Sequence, residues 1–288
     1  MPALLLALAQ GPASALTALA PPDPVLDVAY GELEKQTLDL YLPAGERFPT
    51  VVFVYGGGWH AGSGKSCTPV AERLRAHGYG CALLSHRLCP PDVWPAMIED
   101  VAAAFAWVHE HVAEHGGDPA RLFLAGHSSG AQLVMLLASD RRYLETWHLS
   151  PADVRGVVGL STPLDLAPRA DGNGYGDALL GGRGADVFER DVERMHAASP
   201  KTYLSKELPP ALLVVGERDF PMLEGDARAY VADAKALGRE IPLVIAAGKD
   251  HMGVVASLLD DADPTARAVY AFLDPLAFPE KHGAQERR

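Results

Sequence analysis

RLFLAGHSSGAQLVMLL, residues 121–137, decides how this chain folds. Arg121 to Ala125 is short and apolar enough for a buried strand, and the apolar run after Gly130 suits a helix that begins near Ala131. Between them stands Gly126-His127-Ser128-Ser129-Gly130. A G-x-S-x-G pattern set between a strand and a helix puts the central serine on a sharp, strained turn, with its hydroxyl above the sheet edge. Glycine at 126 and 130 lets strand and helix approach where a Cβ would collide. Ser128 is therefore the candidate nucleophile.

The same alternation of short apolar runs and helical stretches extends in both directions. TVVFVYG, CALLSH, VRGVVGLS, ALLVVGERD and PLVIAAG are continuous Val, Ile and Leu runs, and helical patterns follow most of them, the last reaching about Phe272. Strands without polar alternation are covered on both faces, as in a parallel sheet between two helical layers. VLDVAY (25–30) and TLDLYLP (37–43), separated by GELEKQ, predict a leading antiparallel hairpin. The reading is an α/β fold in one domain, with about eight mostly parallel strands and helices on both faces. Residues 162–210, rich in Gly, Asp and Pro, read as a small lid insertion. Residues 1–24 and 279–288 read as peripheral or flexible.

Composition narrows the function. The chain has 288 residues, 48% hydrophobic and 22% charged, as in an ordinary globular protein. A net charge of -12 without a basic patch disfavours nucleic acid as a partner. Cys67, Cys81 and Cys89 are odd in number and contain no CxxC pair, which fits free thiols. No apolar run approaches the roughly 20 residues a membrane span needs. The beginning, MPALLLALAQGPASALTALAPP, ends in small residues but lacks the Lys or Arg of a signal n-region. The expectation is a cytoplasmic protein, with export as the alternative.

A serine hydroxyl needs a histidine base and a carboxylate to orient it, in chain order Ser, Asp or Glu, His, each at the end of a later strand. LLVVGERDF supplies Asp219 and LVIAAGKDHMG supplies His251 in such positions. Glu217 and Asp165 are rival acids. The chemistry also needs N–H donors for a developing oxyanion. The loop Tyr55-Gly56-Gly57-Gly58-Trp59 follows an early strand, so Gly57, Gly58 and Ser129 are the proposed donors.

Two decoys fail on their own terms. GSGKS (62–66) hints at phosphate binding, but counting back from Gly64-Lys65-Ser66 puts Trp59 where a P-loop requires its first glycine. Lys65 reads instead as a solvated surface charge. His111-Val112-Ala113-Glu114-His115 matches the zinc pattern H-x-x-E-H. His111 lies about 100° off the apolar stripe of its helix, and no third ligand is apparent. It reads as a polar helix end, and no metal site is expected.

YGGGW, GHSSG, GERD and GKDH, in this order, resemble the α/β-hydrolase family. The chain is most similar to esterases like hormone-sensitive lipase, feruloyl and acetyl-xylan esterases, and kynurenine formamidases. The resemblance covers about Asp27 to Phe272. It implies a carboxylesterase-type hydrolase without a cofactor, with Ser128, Asp219 and His251 as a catalytic triad. The expected partner is a small-molecule ester with a small acyl group; a homodimer is left open. Hydrolysis of N-formylkynurenine is the second enzymatic reading, and a non-catalytic ligand-binding homologue is the third. Tyr55 departs from the histidine usual in relatives, yet its phenol can still brace the loop. Trp59, Tyr175 and Phe188 are candidates to line an apolar pocket.

Overall fold

The computed structural model describes residues 20–167 and 184–279. Among these, eight strands form one sheet in the order β1-β2-β4-β3-β5-β6-β7-β8. They are β1 (Val25–Ala29), β2 (Thr37–Tyr41), β3 (Phe48–Val54), β4 (Gly80–Leu84), β5 (Gly117–His127), β6 (Gly156–Leu160), β7 (Ala211–Arg218) and β8 (Leu243–Asp250). The β1/β2 and β2/β4 pairs are antiparallel, so the leading hairpin forms as the sequence predicts. All other pairings are parallel.

Each central strand feeds two cores, because successive side chains point to opposite faces. Val52, Val54, Leu122, Leu124, Leu213 and Val215 join one cluster, with α2 (Ala96–His111), α3 (Ser129–Ser139) and the helix Pro221–Ala236 over it. Val51, Phe53, Phe123, Ala125, Leu212 and Val214 join the other, under α1 (Thr68–Ala76) and the helix Pro264–Ala277. Burying a Val, Leu or Phe side chain contributes about 1.5–3 kcal/mol, so strands apolar on both faces are stable only with both layers in place.

The strand order places the site. From β3 the chain turns one way to β4 and then crosses to β5 on the other side of β3. Val54 and Gly126 are register partners at that switch point. Loops after β3 and β5 therefore diverge around a crevice at the carboxyl ends of the strands, where open α/β sheets bind ligands.

Two boundaries differ from the sequence reading. α3 begins at Ser129 rather than Ala131, since the Gln132 amide already donates to the Ser128 carbonyl oxygen at 3.0 Å. The last helix continues past Phe272 to Ala277, through Pro275, because Val269, Tyr270, Leu273 and Ala277 form its buried face. In the 162–210 insertion, Val187, Phe188, Met195 and Ala198 are buried in the same cluster as α2 and α3. Residues 1–19, 168–183 (with Tyr175) and 280–288 lie outside the described residues.

Candidate active site

Ser128 sits between β5 and α3 with φ 55° and ψ -123°, a conformation that L residues rarely adopt. The surroundings hold it there. A Cβ on Gly126 would lie 2.6 Å from Gly130, and one on Gly130 would collide with the carbonyl oxygens of Val54 and Tyr55. Strand, turn and helix thus meet at backbone distance, and the Ser128 amide donates to the Leu160 carbonyl oxygen of β6 at 2.9 Å.

The other two predicted residues converge on this hydroxyl. Ser128 Oγ lies 2.9 Å from His251 Nε2, and His251 Nδ1 lies 2.7 Å from Asp219 Oδ1. His251 follows β8 and opens a short helix whose N-cap, Asp250, accepts from the Gly253 amide at 2.7 Å. The rival acids point elsewhere: Glu217 accepts from the Gly248 amide at 2.6 Å, and Asp165 faces Lys201 Nζ at 3.4 Å.

Asp219 is held on both oxygens. Oδ1 also accepts from the Phe220 amide at 2.9 Å, while Oδ2 accepts from Ser161 Oγ at 2.6 Å and from the Gly216 amide at 3.2 Å. Burial pushes this carboxyl's pKa upward, but the hydrogen bonds from His251 and Ser161 outweigh it, so the pKa falls below the ordinary value. Ser161, fully buried just past β6 with φ 53°, is a site residue that the sequence reading missed. Its only sequence signal is a serine ending the strand between β5 and β7.

His127 was also missed, although it lies inside the motif. Buried, it sits with Nε2 2.9 Å from the His251 carbonyl oxygen and its ring centroid 4.7 Å from that of His251. Burial, and after it the neighbouring imidazole, push its pKa down to about 4. A neutral His127 donates through Nε2 and so fixes the backbone that carries His251.

The glycine loop lies beside the elbow. The Gly57 amide donates to Ser129 Oγ at 3.1 Å, which brings two of the three proposed donor residues together. A Cβ on Gly57 would collide with the Ala61 carbonyl oxygen. Trp59, at φ 64°, donates through Nε1 to Gln132 of α3 at 3.0 Å, and Gln132 donates to the Ala198 carbonyl oxygen at 2.6 Å. One buried amide therefore ties the loop, the nucleophile helix and the insertion together. Tyr55 packs under the loop: its ring stacks on His86 at 4.8 Å, and burial pushes its hydroxyl's pKa up.

A cavity of about 540 Å³ opens over Ser128, lined by the glycine loop, Trp59, Phe220 and Met252 among others. Phe188 does not line it; it is buried with its ring edge against Trp59 at 5.4 Å. Ser66 of GSGKS lines this cavity, but Lys65 and the His111–His115 stretch do not. Lys65 pairs with Asp27 at 2.7 Å rather than standing alone in solvent, and His111 Nδ1 meets the Trp107 carbonyl oxygen at 2.9 Å with the two rings stacked. Among the described residues no helix is long and apolar enough to cross a membrane.

A mostly parallel eight-stranded sheet with a serine elbow after β5 and a histidine after β8 is an α/β-hydrolase fold. Residues 38–224 match the family described as BD-FAE, and the chain belongs to that family. It is 31% identical over 261 residues to esterase LipC of Mycobacterium tuberculosis, covering 86% of this chain and 64% of LipC. Carboxylesterase NlhH of the same organism is 38% identical over 232 residues, covering 75% and 70%. The first curated relatives are longer proteins, and matched portions cover 64%, 53% and 50% of their lengths. A truncated carbohydrate esterase from gut microbiota shares the fold at a TM-score of 0.76, 21% identity and 93% and 99% coverage. A Pyrobaculum calidifontis esterase superposes at 0.68, with 25% identity and 84% and 81% coverage.

Proposed function

We propose that this chain is a serine carboxylic-ester hydrolase, acting as a single domain through an acyl-enzyme intermediate. The relay Asp219–His251–Ser128, with contacts of 2.7 and 2.9 Å at the floor of the cavity, carries the reading. The esterase names of its relatives agree with it.

In the proposed cycle His251 Nε2 takes the Ser128 proton as Oγ attacks the ester carbonyl. The N–H groups of Gly57, Gly58 and Ser129 hold the resulting oxyanion, each such donor contributing about 10²- to 10³-fold in rate. For Gly57 to serve, its N–H turns from the Ser129 hydroxyl to the oxyanion. His251 then protonates the leaving alcohol, and water activated by the same imidazole releases the acid. Asp219 keeps Nδ1 protonated and stabilises the imidazolium. Ser128→Ala tests the assignment: hydrolysis of p-nitrophenyl acetate should disappear with the melting temperature preserved. Undiminished turnover refutes it.

A further inference from the structure

Gln132 stands one turn along α3 from the nucleophile, and its contacts run three ways. Its amide N–H donates to the Ser128 carbonyl oxygen at 3.0 Å. Its fully buried side chain accepts at Oε1 from Trp59 Nε1 at 3.0 Å and donates through Nε2 to the Ala198 carbonyl oxygen at 2.6 Å. The partners dictate which way the amide points, because an indole N–H can only donate and a carbonyl can only accept. An ionised carboxylate or an ammonium would serve one of the two, never both.

Those partners belong to different parts of the molecule. Trp59 ends the glycine loop, where Gly58 and Trp59 have φ of 61° and 64°, outside helix and strand geometry. With no repeating ladder there, the course of the loop depends on what Trp59 touches. Its carbonyl oxygen accepts from the Cys89 amide at 2.9 Å, and its ring meets Phe188 of the insertion at 5.4 Å. Ala198, buried, closes the insertion's helix Val192–Ala197. Trp59 lines the cavity over Ser128, whereas Gln132 is not among its described lining residues. An effect of Gln132 on the reaction therefore passes through the indole.

Resting on the esterase reading, we infer that Gln132 is a positioning residue for the oxyanion: it locks the indole of Trp59 between α3 and the insertion, and so holds the proposed donors Gly57 and Gly58 in place beside Ser129. The Ala198 carbonyl makes the insertion a support of the same loop. A donor misplaced by about 1 Å can cost about 10²-fold in rate. The loss falls on kcat, since the oxyanion exists only along the reaction and not in the bound ester.

Gln132→Leu, Trp59→Phe and the double variant test this in the full-length protein with p-nitrophenyl acetate, beside melting curves. Each single variant should lose at least about tenfold in kcat, with KM changed less than about threefold. A trifluoromethyl ketone, whose hemiketal with Ser128 carries the oxyanion, should bind each at least about tenfold more weakly. The double variant should fall no more than about threefold below the weaker single one, because both substitutions break the same bond. Should Gln132→Leu fail to fold, Trp59→Phe decides by the same split between kcat and KM. A lowered melting temperature with kcat kept, a loss confined to KM, or losses that multiply in the double variant would overturn the positioning role and leave the esterase reading intact. Failure of the wild-type protein to hydrolyse any ester would overturn both.

Discussion

Eight non-glycine residues among those described have positive φ, and they divide into two groups. Asp27, in β1, and Arg47, His148, Glu189 and Arg190, in loops and turns, are exposed. Trp59, Ser128 and Ser161 are buried or half-buried at the carboxyl edge of the sheet, and each touches the candidate site. A left-handed L residue costs on the order of 1–2 kcal/mol wherever it sits. At the sheet edge it is offset by packing and hydrogen bonds that aim a side chain: Ser128 at His251, Ser161 at Asp219, Trp59 at Gln132. Buried strain here gathers at the candidate site, and exposed strain does not.

Substitutions can break or sharpen this contrast. The largest effect is expected at Ser128, where alanine keeps the strained backbone but removes the hydroxyl; kcat for a p-nitrophenyl ester should fall by about 10⁴-fold or more. Gly57→Ala should cost about 10²- to 10³-fold in kcat, since the new Cβ meets the Ala61 carbonyl and displaces the proposed donor. A normal rate in that variant would show that the loop does not serve the oxyanion.

The pH dependence of stability probes the buried side of the contrast. Burial pushes the pKa values of His127 and His86 down to about 4, against about 6.5 for an unfolded histidine. Between these values the unfolded chain takes up protons that the folded chain refuses, so stability should fall as pH drops from about 6.5 to 4. Each histidine contributes about 3 kcal/mol to that loss at most, and His127→Gln should remove its share, as read by urea melts at pH 7 and pH 4. Asp219 acts in the same direction at lower pH: its depressed pKa adds stability above the unfolded value of about 3.9, and this is lost as pH falls through the folded value.

Ser161 separates strain from hydrogen bonding. Ser161→Ala and Ser161→Gly both lose the bond to Asp219 Oδ2, and each should lower kcat/KM about tenfold while moving the acid limb of the pH profile. Glycine should recover about 1 kcal/mol of stability over alanine, because it accepts φ near 53° freely. A large activity difference between the two would assign the effect to backbone strain. His148→Gly is the exposed control and the smallest effect: about 0.5 kcal/mol more stable, with kcat/KM unchanged within about twofold.

How much of this was legible in the sequence follows from range. The elbow announces itself locally, since strand, G-x-S-x-G and helix are contiguous, and Asp219 and His251 follow from strand ends and chain order. Those rules narrowed the choice among Asp165, Glu217 and Asp219, and it is Asp219 that meets His251 at 2.7 Å. Ser161 and Gln132 were illegible because their roles depend on partners 58 residues (Asp219) and 73 residues (Trp59) away in the chain. Tyr55 was legible as a brace from its phenol, but its ring stacking on His86 and the close approach of Gly62, where a Cβ would lie 2.5 Å from its ring, depend on residues the sequence does not bring together.

The central claim is that His251 and Asp219 make one hydroxyl, that of Ser128, reactive. Treating the protein with a fluorophosphonate and mapping the adduct by peptide mass spectrometry tests it most directly. The account predicts a stoichiometric adduct on Ser128, absent in Ser128→Ala and formed far more slowly in His251→Ala. An unlabelled Ser128 in the folded wild-type protein, or labelling just as fast without the imidazole, would contradict it.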